Sequence, residues 1–335
     1  MEYPSLDKPN AGAFRFNTDS SQLEIYDGNQ WTGVVGNPAT NSARVLIGAG
    51  VAPSGPAGTD TIEYVQINST GNAIDFGNLT VNRDWCTGAC SNGVRGLWIG
   101  GAGTPEKTII DYVTIGTTGN ALDFGDLLDG RSSCGGLANS IRGVYGGGEV
   151  GGNKKNSLEY VTISSTGNGV DFGDILEPTA SLTATCASPT RGIFAGGYTP
   201  THLNVMQYIT IMTTGNTKDF GDLTSLSNEL ASGYSNATRG IFAGGSGDFD
   251  MINFITIATL GNGSYFGNLS EGGGQSCMGG GCSHTRGINA AAGSPSINNT
   301  ISYLTIAQLG NSIDFGDLSF NRGTGACNSN AHGGL

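Results

Sequence analysis

One phrase recurs through this chain at a nearly fixed interval. "RGIFAGG" stands at Arg191–Gly197 and again at Arg239–Gly245, with near-copies "RGLWIGG" from Arg95 and "RGVYGGG" from Arg142. A second phrase keeps step with it: "AIDFGNL", "ALDFGDL", "GVDFGDI", "TKDFGDL", "GSYFGNL" and "SIDFGDL" place Phe76, Phe124, Phe172, Phe220, Phe266 and Phe315 in one column. Subtracting those numbers gives spacings of 48, 48, 48, 46 and 49, so the chain repeats one unit six times.

Each unit reads as short strands. In the "RG" phrase the third residue is aliphatic (Leu97, Val144, Ile193, Ile241) and the fourth aromatic (Trp98, Tyr145, Phe194, Phe242), so both faces of that strand are apolar and both must be covered. "IDYVTI" and its counterparts alternate β-branched and aromatic residues as a further strand. A "TGN" or "LGN" tripeptide then predicts a tight hairpin, with Gly119 and Asn120 as examples, and "DFGDL" supplies its returning strand. A stretch rich in small residues, such as Arg131–Ser140, completes the unit and suits an innermost strand where units converge. Four such strands, stacked on equivalent neighbours, describe a β-propeller blade, and the phrase recurs because the contact recurs. The repeats begin at "SARVLIGAG", already a second strand, and end at "GTGACNSNAHGGL", an innermost strand. The C-terminal strand is therefore expected to complete the first blade and close the ring.

Composition agrees with an all-β chain: 58 of 335 residues are Gly and only 13% are charged. A net charge of −12 disfavours a grip on nucleic acid phosphates, no run of about 18 apolar residues is present for membrane insertion, and the N-terminus lacks a secretory leader pattern. Seven cysteines without zinc spacing read as reduced thiols. Cys90, Cys186 and Cys327, each five residues before Arg95, Arg191 and His332, are expected to share one buried slot.

"RGLWIGG", "IDYVTI", "ALDFGDL" and "RSSCGG" together resemble the Kelch repeat, over about residues 40 to 335, with Phe where Kelch repeats usually carry Trp. The resemblance implies a Kelch-like six-bladed ring. Residues 39–335 are assigned to it, and residues 1–38 to a separate β module of strands and turns. Within that module Arg15–Asp19 ("RFNTD") and Leu23–Trp31 ("LEIYDGNQW") resemble modules of tailed-bacteriophage tail fibres and other virion appendages. That resemblance implies a virion structural protein, assembled in the host cytoplasm. Its N-terminal residues Phe14, Phe16, Leu23, Ile25, Tyr26 and Trp31 would attach it to other virion proteins or to copies of itself, a trimer being the oligomer favoured.

No catalytic residue, metal or cofactor is expected. The paired aspartates of "DFGD", such as Asp123 and Asp126, invite comparison with calcium loops and with glycosidase acid and base pairs. A catalytic pair is needed once, however, whereas these recur, and Asn replaces the second Asp at Asn78 and Asn268. They read as turn residues bonding nearby backbone amides. The arginine column Arg44, Arg95, Arg142, Arg191, Arg239 and Arg286 is expected to bond between blades or to turn carbonyls.

In an antiparallel meander the connections alternate between two ends. One set is uniform here ("SNxxRG", "TGN"); the other varies in length and composition, so recognition is placed on the variable end. Arg83, Asp84, Trp85, Glu106, Lys107, Lys154, Lys155, Tyr198, His202, Asp248, Phe249 and Asp250 are the candidates. Aromatic and polar groups together suit host-surface polysaccharide, with another virion protein, or a purely structural spacer role, as the alternatives. A propeller hydrolase or lyase is a further alternative.

Overall fold

A computed structural model describes residues 9–17, 22–26, 28–33, 43–51, 58–85, 88–103, 106–182, 184–224, 232–245, 250–270, 279–290, 293 and 296–335. The chain divides into two compact units, residues 1–41 and 42–335. In the first, Phe14–Asn17, Gln22–Tyr26 and Trp31–Gly33 form a three-stranded antiparallel sheet.

The second unit is a six-bladed β-propeller of four-stranded antiparallel blades. Blade 1 takes its innermost strand, Ala326–Ser329, from the end of the chain and the others from Arg44–Gly48, Thr59–Gln66 and Ile74–Arg83. Ala326 pairs with Gly48 and Ser329 with Val45, which is the predicted closure. From the inside outward, blade 2 comprises Gly88–Ser91, Arg95–Ile99, Ile109–Thr114 and Leu122–Asp126. Blade 3 runs Gly135–Ala138, Arg142–Gly146, Ser157–Thr162, Val170–Asp174, and blade 4 Ala184–Ala187, Arg191–Ala195, Val205–Thr210, Lys218–Asp222. Blade 5 is Ser232–Ser235, Arg239–Ala243, Met251–Thr256, Ser264–Asn268; blade 6 is Gly279–Cys282, Arg286–Ala290, Asn298–Thr305, Ile313–Arg322.

The repeated phrases are the contacts between blades. Every second strand is buried on both faces after its leading arginine, as its apolar alternation requires. Each Phe of the "DFG" column is 2% exposed. Each also meets the ring at Tyr64, Tyr112, Tyr160, Tyr208, Phe254 or Tyr303 edge-on, with centroids 5.9–6.2 Å apart. The strand register breaks at this Phe in every blade, a bulge that kinks the outermost strand and spoils its edge as a template for further pairing.

The arginine column behaves as expected. Arg44 donates to the Ile115 carbonyl of the next blade at 3.0 Å, and Arg95, Arg142, Arg191, Arg239 and Arg286 repeat this around the whole circle. Each guanidinium also lies over the aromatic ring of its own blade's third strand.

Two expectations change in detail. The "TGN" connection is not a tight hairpin: in blade 2 it occupies residues 115–121, and its Gly119 N–H donates to the Phe76 carbonyl of blade 1. Asn120 Oδ1 accepts from the Asn78 N–H, so Asn of the turn, rather than Asp of "DFGD", is the backbone-capping side chain. The "DFG" glycine follows from this docking. A Cβ on Gly77, whose φ is 146°, would fall on the Gly119 carbonyl oxygen. The second change concerns cysteine. Cys90 lies opposite Leu97 and Cys186 opposite Ile193, but Cys327 lies opposite Ile47, one place earlier; Asn328, opposite Leu46, fills the shared slot.

Candidate functional site

The meander sends the connections between first and second and between third and outermost strands to one end of the ring. This end is framework. Asn92 Oδ1 accepts from both Val94 N and Arg95 N, Asn139 and Asn236 do the same in blades 3 and 5, and the six arginines anchor beside these turns.

At the opposite end the connections of blades 1 to 4 are stitched to one another. Residues following the outermost strand of blade 1 reach blade 2, where the Ala102 N–H donates to the Asp84 carbonyl and the Ser133 N–H to the Trp85 carbonyl. Ser132 pairs with Glu149 at the base of an additional hairpin in blade 3, Glu149–Val150 with Asn153–Lys154. Glu106 Oε1 accepts from the Gly151 N–H at 2.7 Å, tying blade 2 to the tip of that hairpin. From its other side Lys154 Nζ stands 4.8 Å from the centroid of Tyr198 in blade 4, and the Tyr198 ring lies 5.4 Å from that of His202.

Trp85 stands out on this end. Its backbone is left-handed, φ 54°, and so are those of Ser133, Ser181 and Thr324, the corresponding residues of blades 2, 3 and 6. Those three are small and buried, whereas Trp85 is 52% exposed. A left-handed backbone costs a non-glycine residue about 1 kcal/mol, and here the Trp85 carbonyl is held by the Ser133 N–H. Beside it the Asp84 carboxyl is half-buried. Burial pushes it above the usual carboxylate range, and Lys107 pulls it back. Lys155 Nζ is 3.5 Å from the exposed Asp129 carboxylate.

The other candidates fall elsewhere. Arg83 is a correction: it is fully buried, 2.8 Å from Asp111, with Nη1 donating to the carbonyls of Gly100 and Ile109, so it holds blade 1 to blade 2 and cannot reach a ligand. Asp250 is engaged at the edge of blade 5, where its Oδ2 accepts from Asn268. Asp248 and Phe249 lie outside the described residues. Asp129 and the Glu149–Lys154 hairpin were not singled out from the sequence, although Gly151 and Gly152 between "EV" and "NK" are a two-residue turn signal.

A central cavity of about 100 Å³ is lined by the six innermost strands, largely by Gly, Ala, Ser and Cys. Residues after the closing strand cross its end on the framework side. His332 Nε2 bonds to the Ser91 carbonyl and the Gly333 N–H donates to the Ser235 carbonyl. Burial pushes the His332 imidazole down to about 4, against the opposing effect of the Ser91 carbonyl. The Cys90, Cys282 and Cys327 thiols are pushed up to about 12 by burial, which keeps them protonated and poor nucleophiles. Among the described residues no group of three His, Cys, Asp or Glu is placed to hold a metal ion.

In the N-terminal sheet Phe14 and Phe16 are 62% and 63% exposed and pair across the strands with Ile25 and Leu23. The opposite face is self-contained: Arg15 binds Glu24 at 2.7 Å and lies 4.3 Å over Trp31, whose ring is 5.3 Å from buried Tyr26. Of the attachment candidates, Phe14 and Phe16 therefore present apolar surface, while Tyr26 and Trp31 pack on each other. No protein-family model matches this chain, and no curated protein shows significant similarity to it.

Proposed function

We propose that this chain is a non-enzymatic adhesion protein of a virion appendage, in which the propeller receives a host-surface glycan on its variable end and the N-terminal sheet provides the attachment to neighbouring virion proteins. The virion setting rests on the tail-fibre resemblance of residues 15–19 and 23–31. The observation that carries the binding role is Trp85: an exposed indole on a left-handed backbone, where the corresponding residues of blades 2, 3 and 6 are small and buried. A flat aromatic face suits the apolar face of a sugar ring, and Asp84 and Lys107 beside it suit hydroxyl groups. Exposed Phe14 and Phe16 supply the apolar surface that an attachment element needs.

The test is a glycan array probed with the intact chain and with Trp85→Ala. The proposal expects at least a tenfold loss of retained glycan binding in the variant with unchanged thermal unfolding, about 1.4 kcal/mol or more. Equal binding by the two proteins would remove Trp85 from the site.

A further inference from the structure

The distribution of positive charge narrows the glycan further, an inference that rests on the glycan reading above. The chain has 15 Lys and Arg against 27 Asp and Glu. All ten arginines are engaged in the fold: six residues clamp successive blades, Arg83, Arg131 and Arg322 are buried against carboxylates, and Arg15 belongs to the N-terminal sheet. The remaining cations of the ring are lysines. Lys218 opens the outermost strand of blade 4, on the rim. The other three, Lys107, Lys154 and Lys155, all come from the variable connections of two adjacent blades, 2 and 3.

No other connection at that end contributes a Lys, and its sole Arg is buried Arg131. Among the described residues, the connections following the outermost strand of blade 3 bring the acids Glu177 and Asp250 and no Lys or Arg; Glu229, Asp248 and Glu271, from the same stretches of sequence, lie outside the described residues. One end of a strongly acidic protein is thus divided into a lysine sector, where Lys107, Lys154 and Lys155 stand among Asp84, Glu106, Asp129 and Glu149, and a sector whose charged side chains are all acidic. Such an arrangement directs an anion to the first and away from the second.

The lysine sector is also chemically open to an incoming anion. Lys154 is supported from below by the Tyr198 ring, a contact that uses the ring face and leaves ammonium N–H groups to donate. Lys155 faces Asp129 at 3.5 Å in an exposed pair. Such pairs contribute roughly 0–1 kcal/mol, so a ligand anion can replace the carboxylate at little cost. Trp85 adjoins this sector through the Trp85–Ser133 hydrogen bond and the Ser132–Glu149 pairing beneath the hairpin that carries Lys154.

We infer that the glycan taken by this end is anionic, a polysaccharide whose carboxylate or phosphate groups lie against Lys107, Lys154 and Lys155 while a sugar face rests on Trp85. The experiment measures binding of the full-length chain to polygalacturonic acid, to a glycerol-phosphate polymer and to neutral dextran, at low salt and at about 0.5 M NaCl, where the attraction between charges reaches across only a few ångströms. The expected result is binding to one or both acidic polymers that weakens at least tenfold in high salt. Lys154→Gln with Lys155→Gln should lower it at least tenfold again, and Lys218→Gln should leave it unchanged. Whichever acidic polymer is retained separates the carboxylate from the phosphate source. Binding of dextran as tight as that of the acidic polymers, or an equal effect of the rim variant, overturns the inference and leaves the glycan reading standing. No binding to any of the three overturns both.

Discussion

The blade interfaces 6 to 1, 1 to 2 and 2 to 3 each bury an arginine against a carboxylate, whereas 3 to 4 and 4 to 5 carry out the same task with amides. Glu63, Asp111, Glu159, Gln207 and Asn253 occupy one column on the third strands, all at most 1% exposed. Each accepts a hydrogen bond from the backbone N–H that follows the buried Leu or Ile at the end of the neighbouring blade's "DFGDL" phrase. The donors are Ser319, Thr80, Leu128, Leu176 and Thr224 respectively. In the interface 5 to 6, where the column holds Ser302, the Ser270 N–H turns to Ser312 Oγ instead. What the ring requires is an acceptor for that amide, not a charge. Charge brings its own demand, because a buried carboxylate needs a counterion, and Arg322, Arg83 and Arg131 appear only where the acceptor is ionised. Those arginines also bond carbonyls at both ends of the connection between the second and third strands, as Arg83 does at Gly100 and Ile109. Two of the charged interfaces therefore brace the connections that carry Lys107 and Lys154–Lys155, beneath the lysine sector.

Breaking one charged interface gives the largest expected effect. Asp111→Asn keeps an acceptor for the Thr80 N–H but leaves the Arg83 guanidinium buried without its partner. Its cost is expected at about 3–5 kcal/mol in denaturant unfolding. A loss below about 1 kcal/mol would mean that solvent or another acceptor reaches Arg83. Charging an amide interface is next: Gln207→Glu introduces a carboxylate with no arginine opposite, at a cost of roughly 1–3 kcal/mol at neutral pH. Its folded pKa would be raised, so the penalty is full above that pKa and fades as pH falls through it toward the ordinary carboxylate value. A penalty that does not shrink on acidification would assign the cost to packing. The smallest effect belongs to conversion of one type into the other. Arg131→Met combined with Glu159→Gln turns the interface 2 to 3 into the kind found at 3 to 4, and is expected within about 1 kcal/mol of the parent, well above either single variant. A double variant as damaged as the singles would show that the ion pair itself, not the acceptor, holds these blades.

Much of this ring was legible in the letters because its contacts are periodic. Phe124 could be placed in the core from its five counterparts, and Arg95 could be read as a clamp because every copy has one. The candidate site was legible only in part, since recognition sits where the repeat lapses. Trp85, Tyr198 and Lys154 could be put on the variable end, but no periodic signal says that Lys154 stands on Tyr198 or that the backbone of Trp85 is left-handed. Arg83 misled for the same reason. Next to Asp84 and Trp85 it resembles a loop residue, and only its folded partner Asp111 reveals an interior strut.

The sequence alone determined the number of blades, the strands in each, the columns that face a neighbour and the closure of the ring by its last strand, since all of these follow from spacing and alternation along one chain. Tertiary structure alone decided the bulge at each Phe, the docking of each "TGN" turn on the preceding blade, the place of Cys327 and the pairing of Arg83 with Asp111. Those depend on distances between residues far apart in the chain, and such distances exist only once neighbouring blades have packed.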